Sequence, residues 1–217
     1  MNHQTISTVL KPPKFRPELP DDDGVYYPDT DETVMPEGVL HFLLSVRLVS
    51  ALLAFFSARN DVKVFGNVMF YYEKGDIKKV VSPDLMICFG LETMPTRVYK
   101  LWEEKVVPSV VIEFASESTW FKDVSTKIAL YQKLGVEEYF VFDPEYKNLP
   151  QPLVSFRLVD GVFVEREIKD NRIYCEALGL ELVDTNETLR LFNSKTQEFL
   201  MTPEEMAAEL ARLKQQN

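Results

Sequence analysis

The fold prediction rests on ten residues, Val110-Val111-Ile112-Glu113-Phe114-Ala115-Ser116-Glu117-Ser118-Thr119. Residues 110–114 are apolar apart from Glu113, which is typical of a strand buried on both faces of a sheet. Serine and threonine follow, as they do at the start of many helices. We therefore predict a central strand over residues 110–114 and one helix over about residues 120–134. The candidate N-caps of that helix are Ser116, Ser118 and Thr119.

A second strand is predicted beyond this helix. Gly135 stands just past the helix, where glycine commonly adopts the left-handed conformation, and residues 138–142 form the next apolar run. A strand–helix–strand unit implies parallel pairing. Downstream, Asp160-Gly161 separates the two strands of a predicted hairpin. Upstream, further strands are predicted at residues 62–72, 77–81 and 85–89. The predicted fold is α/β, a mixed β-sheet flanked by helices, with a C-terminal hairpin and a short terminal helix.

Composition divides the chain into three parts. Residues 1–36 are rich in Pro and Asp and predict an irregular arm. A broad apolar face at helical spacing begins after Pro36, so a first helix opens a domain over residues 37–200. Residues 201–217 alternate apolar and charged side chains and predict a short amphipathic helix. We expect that helix to dock on the domain or to mediate weak self-association as a homodimer.

The location predicted for the chain is cytoplasmic. Residues 1–10 lack the positive start and apolar run of a signal peptide. The longest apolar run, residues 39–56, contains His41 and Arg47, and a bilayer span would tolerate the arginine poorly. Two cysteines, Cys88 and Cys175, are too few for a disulfide framework, which favours a reducing compartment. We expect no association with a membrane.

The formal net charge of −10 argues against tight, non-specific binding of nucleic acid. The charge is unevenly distributed, because residues 1–37 contain eight acidic and three basic residues and so carry −5 of the total. A metal site also needs clustered carboxylates, so local acidity is compatible with phosphate chemistry once the cation is counted.

The acidic residues at the strands predict chemistry. Asp84 precedes one strand and Glu113 lies in another, where a carboxylate is costly unless it is paired, hydrogen-bonded or bound to metal. Two such carboxylates that converge would suit Mg²⁺ (or Mn²⁺), which prefers oxygen ligands. Lys127 lies in the following helix, where an ammonium group could orient an attacking water or stabilise transition-state charge. Asp123 and Tyr131 flank Lys127 at i−4 and i+4 on one helical stripe.

A longer pattern surrounds these residues. The segment 110–119 is followed by Asp123, Lys127 and Tyr131, then by Gly135-Val136-Glu137-Glu138-Tyr139 and Asp143-Pro144. Ser82-Pro83-Asp84 precedes a strand, and Glu37 and His41 lie one turn apart on the first helix. This pattern resembles the Uma-type endonucleases, a bacterial family of the restriction-endonuclease-like, PD-(D/E)XK nuclease superfamily. The resemblance spans about residues 37–200 and is strongest over residues 106–144.

The resemblance implies a role for each matched residue. Asp84 and Glu113 would be metal ligands, Lys127 the catalytic lysine and Glu37 an accessory catalytic acid. His41, Asp123 and Tyr131 are possible accessory residues. The sequence departs from the plain superfamily pattern because Ala115 occupies the lysine position two residues after Glu113; in the resembling family the lysine is displaced onto the helix, which Lys127 fits. The implied activity is metal-dependent hydrolysis of phosphodiester bonds in nucleic acid, with DNA expected ahead of RNA.

Each assignment has a structural alternative. Pro-Asp occurs three times, so Asp84 alone could be a turn residue. An ion pair to Lys127 or Lys133 would satisfy Glu113 without catalysis, and Lys127 could be a solvated helix residue. Asp123 could favour the first helical turn through the dipole, while Tyr131 and His41 could be packing residues. Two alternative functions also remain: a catalytically silent nuclease-fold binding or interaction protein, and a hydrolase of small phosphorylated substrates.

Overall fold

A computed structural model of the chain describes residues 22–29, 38–95 and 97–216. Its elements, in chain order, are α1 (Val39–Phe55), β1 (Val62–Gly66), β2 (Phe70–Tyr71), β3 (Val80–Val81), β4 (Leu85–Phe89), β5 (Tyr99–Lys100), α2 (Leu101–Glu104), β6 (Val110–Phe114), α3 (Trp120–Asp123), α4 (Thr126–Leu134), β7 (Glu138–Phe142), β8 (Leu153–Val159), β9 (Val162–Arg166), β10 (Arg172–Cys175), β11 (Leu180–Asp184), β12 (Leu189–Asn193), β13 (Glu198–Phe199) and α5 (Pro203–Gln215). Pro36, Glu37 and most of the predicted arm lie outside the described residues.

The largest sheet has six strands in the order β1-β4-β6-β7-β8-β9. Strands β6 and β7 are parallel, with Val110 opposite Glu138 and Phe114 opposite Phe142. The other neighbouring pairs in this sheet are antiparallel. Helices α3 and α4 connect the parallel pair, because parallel strands need a crossover. The predicted mixed α/β fold, with residues 110–114 as a central strand, is confirmed.

The pleat of this sheet sends alternate side chains into two cores. On β6, Ile112 and Phe114 face a core shared with α1 and with strands β10 to β12. Val111 and Ala115 face a second core, which is shared with α4 and the small sheet of order β3-β2-β5. Glu113 lies between Ile112 and Phe114, so its side chain points to the α4 side of the sheet.

The C-terminal part contains the predicted hairpin and terminal helix, and one additional sheet. Strands β8 and β9 pair around Asp160-Gly161, whose φ angles of 50° and 80° place both residues in the left-handed region that a tight hairpin turn requires. Strands β10 to β13 form a four-stranded antiparallel sheet that was not predicted. Helix α5 begins with a capping box between Thr202 and Glu205.

Two elements predicted as continuous are interrupted. The strand predicted over residues 62–72 ends at Gly66, because Asn67 has a φ of 50° and its N–H donates to the Pro83 carbonyl. The helix predicted over residues 120–134 breaks after Asp123, where the Ser125 hydroxyl donates to the Phe121 carbonyl before α4 begins. The strand predicted over residues 77–81 is shorter and comprises only β3.

One of the three predicted N-cap candidates is confirmed. Thr119 occupies the N-cap of α3, but its side chain makes no capping hydrogen bond. Its hydroxyl oxygen instead accepts from the Ser116 N–H, at 3.1 Å, and so closes the turn between β6 and α3. The predicted end of the helix at Gly135 is confirmed, since Gly135 has a φ of 86° and is the C-cap of α4.

The described part of the predicted arm, residues 22–29, contacts the domain. The Tyr27 ring lies 5.0 Å from the Tyr71 ring, and its hydroxyl oxygen accepts a 2.7 Å hydrogen bond from the Gly75 N–H. Across residues 22–29, 38–95 and 97–216, no helix combines the length and apolarity needed to cross a membrane.

Candidate active site

The two predicted acids lie at neighbouring strands, with Asp84 immediately before β4 and Glu113 within β6. Strands β4 and β6 are antiparallel, with Leu85 opposite Ile112, so the residues just outside this pair, Asp84 and Glu113, lie side by side. The Phe114 N–H donates to Asp84 Oδ2 at 2.6 Å, and the Asp84 N–H donates to Glu113 Oε2 at 3.3 Å. These two hydrogen bonds fix both acids directly to the sheet backbone.

Lys127 completes the cluster from α4. Its Nζ lies 2.9 Å from Glu113 Oε2 and 2.8 Å from Asp123 Oδ1. Both carboxylates are 1% exposed, whereas the lysine side chain is 20% exposed. The ammonium group therefore connects two buried acids to the surface, and the reading of Lys127 as a solvated helix residue is wrong.

Two tyrosines hold the acids from the interior. The Tyr131 hydroxyl, which is fully buried, donates to Glu113 Oε1 at 2.7 Å. The Tyr139 hydroxyl donates to the backbone carbonyl of Asp123 at 2.8 Å. Apart from the ion pair with Lys127, the Asp123 carboxylate accepts no hydrogen bond from the described residues, so Lys127 compensates its charge. The interpretation of Asp123 as only a favourable charge for the helix dipole is therefore incomplete, because it leaves out the ion pair with Lys127.

The charged side chains of the cluster shift the pKa values of Asp84 and Lys127. Burial raises the pKa of Asp84 well above its ordinary value, and the negative charge of Glu113 raises it further. The Phe114 N–H and Lys127 oppose this rise but do not cancel it. Burial lowers the pKa of Lys127, but Glu113 and Asp123 outweigh that effect and raise it above its ordinary value. Lys127 is consequently an ammonium ion at neutral pH.

The donor set fits a hard divalent cation. No group of three His, Cys, Asp or Glu side chains arranged to hold a metal occurs among the described residues. Mg²⁺ needs fewer protein ligands than that, because it retains several waters and commonly binds through one or two carboxylates. Asp84 Oδ2 accepts the Phe114 N–H, and Oδ1 accepts no hydrogen bond from the part of the chain described, which leaves that oxygen available as a ligand. Asp84 and Glu113 are therefore the residues that could hold such an ion.

The remaining predicted residues fall in different places. His41 lies on α1, on the opposite face of the sheet from Glu113, with its ring centroid 6.0 Å from that of Phe114. Glu37, the predicted accessory acid, lies outside the described residues. The structure thus brings together Asp84, Glu113, Asp123, Lys127 and Tyr131.

Sequence reasoning missed the contributions of Phe114 and Tyr139. Phe114 contributes its backbone N–H, which a pattern of side chains cannot reveal. Tyr139 donates to a backbone carbonyl from within an apolar strand. A buried tyrosine usually hydrogen-bonds through its hydroxyl, and this was the available signal.

Comparison with known proteins assigns the chain to a class that agrees with the fold and the site. Residues 13–186 match the Uma2 family, which is described as "Putative restriction endonuclease". The match covers most of the chain, which therefore belongs to the Uma2 family. The restriction-endonuclease-like family predicted from the sequence is thus confirmed.

Among the solved structures similar to this chain is a protein from Anabaena variabilis ATCC 29413 described as "a putative nuclease belonging to DUF820". The two chains are 16% identical, with a TM-score of 0.49, and the similarity covers 66% of this chain and 75% of the other. No curated protein matches the sequence.

Proposed function

We propose that this chain is a divalent-cation-dependent nuclease that hydrolyses phosphodiester bonds in nucleic acid. The observation that carries the proposal is the convergence of Asp84 and Glu113, from two strands, with Lys127 from the crossover helix. Membership of the Uma2 family supports the same reaction class. Mg²⁺ or Mn²⁺ is the proposed cofactor, because the available ligands are carboxylate oxygens.

Each side chain of the candidate site would have a separate role in the reaction. Asp84 and Glu113 would bind the cation, which when bound lowers the pKa of a coordinated water and neutralises charge on the scissile phosphate. Lys127 remains charged, so it would act as a cation that orients the attacking water or stabilises negative charge on the phosphate, rather than as a general base. Asp123 and Tyr131 contact Lys127 and Glu113, and they would act as positioning residues.

The direct test is cleavage of labelled single-stranded and duplex DNA and RNA with Mg²⁺, Mn²⁺ or a chelator. We expect cation-dependent cleavage by the parent, and a loss of at least about 100-fold in Asp84→Asn and Lys127→Met, within the range assigned to one positioned electrostatic group. Lys133→Met is the matched control, because Lys133 lies on the same helix but is exposed. Cleavage that persists at the parent rate in both Asp84→Asn and Lys127→Met would contradict the proposal.

A binding titration of the same labelled strands, run at several salt concentrations, separates the alternative functions. The net charge of −10 and the alanine at position 115 favour that alternative. If the chain is a silent binding protein, the parent and Asp84→Asn should bind nucleic acid with equal affinity. Neither protein should then cleave any of the substrates. A hydrolase of small phosphorylated substrates would instead show little salt dependence, because it neutralises few phosphates.

A further inference from the structure

Two large aromatic side chains are exposed on α3, the short helix that ends at Asp123. Trp120 is 36% exposed and Phe121 is 65% exposed, and their ring centroids lie 5.7 Å apart at an interplanar angle of 84°. A tryptophan–phenylalanine pair normally contributes a large buried apolar area. Exposed aromatic side chains grouped on a surface commonly mark a binding site.

The pair occupies the segment that joins two parts of the candidate site. The Trp120 N–H donates to the Ser116 carbonyl at 2.9 Å, so α3 follows β6 through a tight turn that begins two residues after Phe114. Asp123, whose carboxylate forms an ion pair with Lys127, ends the same four-residue helix. The aromatic residues are therefore held on the helix that contributes Asp123, two and three positions before it in the chain.

The charge of the protein restricts how it could hold nucleic acid. Duplex recognition relies mainly on Lys and Arg side chains that neutralise many phosphates, whereas this chain has a net charge of −10. Stacking of an unpaired base on an aromatic ring is not itself an ionic contact, and each stacked base contributes about 1–3 kcal/mol in addition to the contacts with phosphate. In a duplex the faces of the bases are already stacked on one another.

From these observations we infer that Trp120 and Phe121 form a stacking platform for an unpaired base, and that the substrate class is single-stranded or locally unpaired nucleic acid. The inference rests on the proposed function for the position of the strand, but the binding it describes does not require cleavage. Lys122, exposed on the same helix, is the nearest cation in sequence for an adjoining phosphate.

The two tryptophans of the chain allow a direct test. Trp102→Phe leaves Trp120 as the sole tryptophan, so its fluorescence reports stacking at the platform. The measurement is a titration in chelator, to prevent cleavage, with single-stranded DNA, single-stranded RNA and duplex DNA of equal length. We expect saturable quenching by either single strand and much weaker quenching by the duplex.

A second set of variants tests the contribution of each ring to affinity. Phe121→Ala in the Trp102→Phe background is expected to raise the Kd for single strands by roughly fivefold or more, the effect of losing one stacking contact. Tyr174→Ala is the matched control, because Tyr174 is 41% exposed on β10, outside the candidate site. Trp120→Leu, followed by fluorescence anisotropy of a labelled strand, checks the result without relying on the indole signal.

The outcomes separate this inference from the proposed function. Absence of quenching, or equal quenching by the duplex, would overturn the platform, even if the parent cleaves DNA with Mg²⁺. Quenching by single strands without cleavage under any condition would support the platform and contradict the nuclease. Equal affinity of the parent and of Phe121→Ala would also overturn the platform.

Discussion

The hydroxyl of Tyr131 donates a 2.7 Å hydrogen bond to Glu113 Oε1, and both side chains are buried. A buried carboxylate that loses a donor retains its desolvation cost, and a hydrogen bond to a charged group contributes about 1.5–3 kcal/mol. We expect Tyr131→Phe, which keeps the ring, to lower the free energy of unfolding by about that amount. Urea denaturation measures it, with Tyr174→Phe as the exposed control. Equal stability of the parent and Tyr131→Phe would contradict this assignment.

Lys127 compensates two carboxylates that are each 1% exposed. Removing one partner of a buried ion pair costs about 3–5 kcal/mol, because the remaining charge is left unpaired. We expect Lys127→Met to lose stability on that scale in the presence of a chelator. Adding Asp123→Asn should restore part of the loss, because it removes one of the two unpaired charges. A loss no larger than that of Lys133→Met would exclude this role for the ammonium group.

The cation proposal predicts opposite effects of Asp84→Asn on stability and on metal response. In chelator, this variant removes a charge held beside Glu113 and retains an oxygen for the Phe114 N–H, so we expect stability equal to or above that of the parent. Mn²⁺ should raise the Tm of the parent, because ligands that bind the native state stabilise it. Asp84→Asn should lose that gain. A Tm increase of the same size in both proteins would place the cation elsewhere.

Asp143 directly follows β7 and organises the loop after it. Its Oδ2 accepts from the backbone N–H groups of Lys147, Asn148 and Leu149. Burial raises the pKa of Asp143, but the Asn148 and Leu149 donors outweigh it and hold the pKa below its ordinary value. Since the pKa is lower in the folded state, the carboxylate contributes stability above the unfolded value of about 3.9 and loses it as the pH falls through the folded value.

Asp143→Asn tests this sign. We expect it to lower the free energy of unfolding by about 2 kcal/mol at pH 7, as for the loss of hydrogen bonds to a charged acceptor. The difference from the parent should shrink as the pH falls below about 4. Urea denaturation at several pH values measures it, and a difference that stays constant between pH 7 and pH 3 would contradict the assignment.

Local patterns predicted the parts of the fold that continuous apolar runs define. Residues 110–114 and 138–142 were predicted as strands and their parallel pairing followed from the intervening helix, because a crossover is the connection that parallel strands require. The breaks at Asn67 and Ser125 were missed, although Gly66-Asn67 is a turn signal and Ser125-Thr126 are N-cap residue types. The apolar residues before and after each break continue the same pattern, so the pattern alone predicts one uninterrupted element.

The sequence predicted which residue types form the candidate site better than it predicted how deeply each side chain is buried. Asp84, Glu113 and Lys127 were singled out because charged groups beside buried strands need partners. The burial of Asp123 was not predicted, because it depends on how α3 packs against Tyr139, which lies 16 residues further along the chain. The four-stranded sheet β10 to β13 was missed because its strands are short and carry charged residues on the exposed face.

The two hydrogen bonds from backbone N–H groups to the Asp84 and Glu113 carboxylates have a thermodynamic consequence. They preorganise both acids on adjacent strands, so an ion bound there would incur little of the entropy loss that loop ligands undergo when they become ordered. Cation affinity would then depend mainly on charge.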